Sequence, residues 1–145
     1  MGVTYDYFRA ADVATASAAM AAMLAGGRPL PDVVETKLEY GLWLTTIVGL
    51  PTMDDSPLTS PPEVWVEDDD PDGSFVVELH DVIRDSLANA AESVSVLAQR
   101  WVELEAPPTS TGIAMADVSS TVRALVELAG RAQAAGERMY CWCCP

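Results

Sequence analysis

The chain closes on ERMYCWCCP, residues 137–145, and the reading of this segment decides the fold. It holds all three cysteines, Cys141, Cys143 and Cys144, beside Tyr140 and Trp142. As a strand it alternates, with Cys141 and Cys143 on one face and Tyr140, Trp142 and Cys144 on the other. As a metal site it lacks the usual spacing. Structural zinc sites separate paired cysteines by two to four residues, so that one loop folds both sulfurs onto an ion. C-x-C-C does not, and His80, the only histidine, would have to complete the set. As a redox pair it lacks both C-x-x-C spacing and a helix N-terminus to lower a thiol pKa. Free cysteine is among the most frequently buried residues. The preferred reading is a core strand; the alternative is a metal or ligand site on Cys141, Cys143, Cys144 and His80.

A terminal strand needs a partner, and the other end of the chain offers one. VTYDYF, residues 3–8, sets Val3, Tyr5 and Tyr7 against Thr4, Asp6 and Phe8. Asp12 then caps a helix carrying Val13, Met20, Met23 and Leu24, stopped by Gly26 and Gly27. PDVVETKL, residues 31–38, is a second, β-branched strand candidate. Residues 40–49 are apolar nearly all round, and periodicity permits either helix or strand. Closure by Gly49 and Pro51 favours a helix from Tyr40 to Val48.

Residues 64–67 and 75–79 flank a centre containing Pro71, Asp72 and Gly73, the pattern of a β-hairpin. A short helix follows, with Asp81 expected as its N-cap. Val94, Leu97, Ala98, Trp101 and Leu104 form one helical stripe. The last helix, 117–135, carries Val118, Val122, Leu125, Val126 and Ala129, with Glu127 and Arg131 spaced as an i,i+4 pair. Residues 51–63 and 106–112 read as loops. The expected architecture is one α+β domain over 1–145. A small, mostly antiparallel sheet takes both terminal strands at its centre, against four to five helices on one side. At this length the chain can bury roughly 70% of its unfolded surface.

The opening MGVTYDYFRAADVATASAAM, and a final helix running through AQAAGERMYCW into a terminal strand, resemble the YfbM-like family of uncharacterised bacterial proteins. The resemblance implies a fold and no activity.

Charge excludes several functions. The net charge is -14, and ten acids lie between Asp54 and Asp81, with no Lys or Arg between Lys37 and Arg84. Such a surface repels a phosphate backbone and an anionic membrane. It suits a basic protein partner. No apolar run reaches the ~18 residues of a membrane span. The acidic start lacks a signal peptide's basic region, and no myristoylation or prenylation motif fits. Unpaired thiols agree with a cytoplasmic location. Seven arginines against one lysine point to a high-GC bacterial genome. A monomer and a homodimer are both compatible with the sequence.

Three further motifs each have a plainer reading. Asp68, Asp70, Asp72 and Gly73 reproduce the opening of a calcium-binding EF-hand loop. The bidentate Glu then fails, because Leu79 stands where it belongs and Glu78 is one residue early. A solvated hairpin tip explains the acids. His80 has Asp81, Asp85 and Ser86 close in sequence but no glycine-flanked nucleophile, so a surface or capping role is expected. No phosphate-binding glycine loop and no cofactor motif is present. Trp43, Trp101 and Trp142 sit in apolar patterns and read as core. Trp65 adjoins the acidic tip. The sequence therefore leads to a non-enzymatic, immunity- or antitoxin-like binder of a basic protein, using Trp65, Glu67, Asp68, Asp69, Asp70 and Asp72, with no cofactor.

Overall fold

Strands drawn from the two alternating ends, Thr4–Ala10 and Arg138–Cys144, pair with each other residue for residue. The computed structural model describes residues 4–26, 32–36, 38–40, 42–50, 61–67, 73–105 and 115–144. In chain order these form β1 (Thr4–Ala10), α1 (Val13–Leu24), β2 (Val34–Thr36), α2 (Leu42–Ile47), β3 (Glu63–Val66), β4 (Phe75–Glu78), α3 (Asp81–Ala88), a 3-10 turn (Ala91–Ser93), α4 (Val94–Glu105), α5 (Met115–Ala135) and β5 (Arg138–Cys144). The strands make one antiparallel sheet in the order β2-β1-β5-β4-β3. β1 and β5 run in register from Thr4↔Cys144 to Ala10↔Arg138. The last strand of the chain is thus the middle strand of the sheet.

Strand alternation divides the interior into two layers. Tyr7 of β1, Val77 of β4, and Met139, Cys141 and Cys143 of β5 share one cluster with side chains of α2 to α5. Phe8, Ala10, Val76 and Tyr140 face the other way and meet Ala16 and Met20 of α1. The sheet is therefore covered on both faces rather than one. Among the described residues the alanine-rich α1 is the one helix on its side, and its small side chains let it sit close to the strands. Phe8 and Tyr140 stack there with ring centroids 5.6 Å apart.

α5 is the central helix. Its expected stripe, Val118 to Ala129, is buried, and Leu128 and Ala132 join it. The buried band is broad because α5 packs on α3, α4 and three strands at once. Each large aliphatic side chain buried there contributes about 1.5–3 kcal/mol. Gly136, at φ 68, ends the helix, and Glu137 N–H bonds back to Ala132 O at 2.8 Å before β5 starts.

Several local expectations need correcting. Leu104 lies in the last turn of α4 and is 37% exposed, so the α4 stripe ends at the buried Trp101. The cap of α3 is His80, not Asp81: His80 keeps an extended backbone and its Nδ1 accepts from Val82 N–H at 3.1 Å, which makes Asp81 the first helical residue. Arg131 does not turn along the helix to Glu127. Its two nitrogens reach the two carboxylate oxygens of Asp32 at 2.8 and 3.0 Å, a bidentate contact that outcompetes a flexible helix-surface pair. Asp32 also takes Arg9 Nε at 2.9 Å, and Arg9 bonds Glu137, so one network joins β1, the approach to β2, α5 and the approach to β5. β3 begins at Glu63, one residue inside the expected 51–63 loop. The 51–60 part of that loop, the 106–112 loop and Gly27 lie outside the described residues.

Candidate functional site

The terminal cysteines are core atoms where their side chains are described. Cys141 and Cys143 are buried, unpaired in any disulfide, and face α5 beside Tyr7. The Tyr7 hydroxyl donates to Leu38 O at 2.7 Å and lies against the Cys141 thiol. Tyr40 packs edge-on against Tyr5, with centroids 6.1 Å apart, at the margin of the same cluster. Burial, followed by the neighbouring Cys143, pushes the Cys141 thiol pKa well up. Burial, followed by the two thiols, does the same to the Tyr7 phenol. Desolvation also raises Tyr40 strongly. A thiol held in its neutral form is a poor nucleophile. The Cys144 side chain lies outside those described.

His80 is not brought to the cysteines. It follows Leu79, whose N–H bonds Met139 O at 3.0 Å, so it sits near the Arg138 end of β5. Cys143 is five positions from Arg138 along the strand, roughly 16 Å at strand rise. No cluster of three or more His, Cys, Asp or Glu suited to a metal occurs among the described residues. The shallow notch around His80 is lined by Glu78, Leu79, Asp81 and Arg138. Its polar groups are engaged in structural bonds. Glu78 accepts from Arg138 at 2.8 Å and from the Tyr140 hydroxyl at 2.9 Å. Asp81 and Asp85 turn to Arg84, whose hydrogen bond, with help from Gln133, lowers the Asp85 pKa. The His80 acceptor nitrogen is used as the helix cap.

The acidic hairpin is built as expected at its base. Val66 pairs with Phe75 and Trp65 with Val76, and a bulge separates Trp65 from the Glu63–Val77 pair. Glu67 closes the described ladder. Its N–H donates to Ser74 O at 2.9 Å, and its carboxylate accepts Ser74 N–H at 3.1 Å. Glu67 is thus a staple of the hairpin as well as a negative charge. Trp65 is half-buried and packs with Val64 and Trp142 on the α1 side. Asp68, Asp69, Asp70 and Asp72 lie outside the described residues, as does the side chain of Trp43. Val66, absent from the sequence-derived set, is 51% exposed on the outermost described strand. The signal for it was present in the EVWVE alternation, but only the strand order shows that β3 is an edge.

Comparison with family models, with curated proteins and with solved structures finds no match. Among the described residues, no helix is long and apolar enough to cross a membrane.

Proposed function

We propose that this protein works by binding a basic protein partner, and that the β3–β4 hairpin carries the contact. The observation behind this reading is a coincidence of place. The strand at the sheet edge holds a half-buried Trp65 and an exposed Val66, and it runs directly into the acidic sequence Glu67 to Asp72. Aromatic anchors beside concentrated charge are the composition of binding surfaces. An acidic surface on a chain of net charge -14 accelerates encounter with a basic target and makes the rate fall with salt. The concrete version is an immunity- or antitoxin-like protein that covers a basic enzyme surface from a bacterial cytoplasm. A YfbM-like fold is compatible with that role and adds no activity to it.

Capture from host extract tests the reading, using the protein and a variant with Asp68, Asp69, Asp70 and Asp72 changed to Asn. A basic partner should be held by the parent at low salt and lost at high salt or by the variant. Equal retention in all cases would contradict it. Elemental analysis of untagged protein separates the alternative: stoichiometric zinc or copper, lost in Cys143→Ser, would move the function to the cysteines.

A further inference from the structure

We infer that the partner is held by strand addition: an extended segment bearing alternating apolar and basic residues pairs with the outer edge of β3 as a sixth strand. This rests on the protein-binding reading above and specifies its geometry. Backbone bonding to β4 alternates along β3. Glu67 N–H bonds Ser74 O, and Glu78 N–H bonds Pro62 O. Between these, the Val66–Phe75 pair is of the wide, non-bonded kind, so the Val66 N–H and C=O point away from β4. Among the described residues no strand lies beyond β3 in the sheet. The side chains at this edge also divide. Trp65 leans to the α1 face, while Val66 stands across from Phe75, which packs against the opposite cluster. An added strand would therefore find one apolar neighbour on each face, with main-chain bonds supplying affinity and alternate side chains supplying specificity.

Charge chooses the occupant. A second copy would bring another chain of net charge -14 against an edge that carries Glu63 and Glu67 among its described residues. Like charges across paired strands oppose association, which is how exposed edges are kept from self-pairing. A segment with arginine or lysine at alternate positions reverses that term.

The test uses a short synthetic peptide alternating valine with arginine, and the same peptide N-methylated on alternate residues. Methylation removes backbone donors along one edge and leaves the charge unchanged. The plain peptide should bind and slow hydrogen exchange at the Val66 amide by about tenfold or more. The methylated peptide should bind at least about tenfold more weakly. Val66→Pro, which removes only an outward N–H, should lose binding to a similar degree while keeping the native circular dichroism. Val66→Ala, which keeps that N–H, should bind within a fewfold of the parent, and it checks that loss in the proline variant does not come from the missing valine side chain. Equal binding of both peptides, or no binding of the plain one, overturns strand addition. A salt-sensitive partner still captured from host extract would then leave the broader protein-binding reading standing.

Discussion

Tyr7 shows how one side chain serves two layers of structure. Its ring fills the core and its hydroxyl satisfies the Leu38 carbonyl at 2.7 Å in a buried setting. Tyr7→Phe keeps the ring and strands that carbonyl. The expected cost is about 1–2 kcal/mol, read from the urea midpoint at unchanged slope. Asp32 makes the opposite kind of contribution, through charge near the surface. Hydrogen bonds from Arg9 and then Arg131 hold its pKa below the usual carboxylate value. A depressed folded pKa gives stability that is present above the unfolded value, near 4, and is lost as the pH falls through the folded value. Asp32→Asn should therefore be less stable than the parent at neutral pH, by about 1 kcal/mol at most given its exposure. The difference should vanish in acid. Asparagine tolerates the φ of 58 at this position, so the backbone is not the cause of any loss. A gap that persists undiminished below pH 3 would contradict the ionic account.

At the scale of elements, the start of α3 is the clearest test. His80 caps the helix through Nδ1, one of the roles its sequence position suggested, and does so in place of Asp81. His80→Ala should destabilise by about 1 kcal/mol and His80→Asp should restore most of the loss, as calorimetry would show. Full stability in the alanine variant would mean that the cap contributes nothing. The elements themselves were largely legible in the sequence. Strand alternation in 3–8 and 138–144, the Asp12 cap, and the stripe of α5 each follow from a period or a side-chain chemistry that acts locally. The misjudged details depend on what approaches from a distance. Aspartate is a common cap, which suggests Asp81, but the extended backbone falls at His80 and that decides which residue serves. The Glu127–Arg131 spacing suits a pair, but Asp32, ninety-nine positions away in sequence from Arg131, offers a bidentate site. The position of α1 on the second face likewise follows from strand order, which no local pattern encodes.

For the whole molecule, the decisive feature is that the chain's last strand lies at the centre of its sheet. β5 pairs with β1 on one side and β4 on the other, which ties both ends of the chain into one unit. It also turns Cys141 and Cys143 inward and leaves β3 as the outermost strand among the described residues. The division of the candidate sites follows from this placement. Cys141 and Cys143, two of the residues most suggestive of chemistry, are enclosed by α5 and the tyrosines. β3 of the hairpin is the outermost described strand on its side of the sheet, and Val66 on it is exposed. Sequence alone located both clusters, but burial and strand order were needed to separate them. The most direct test is residue-resolved alkylation of the native protein, read by mass spectrometry. Cys141 and Cys143 should react only as the whole sheet opens, orders of magnitude more slowly than in urea and at matching rates. Rapid modification of either thiol under native conditions would contradict a β5 that is buried at the centre.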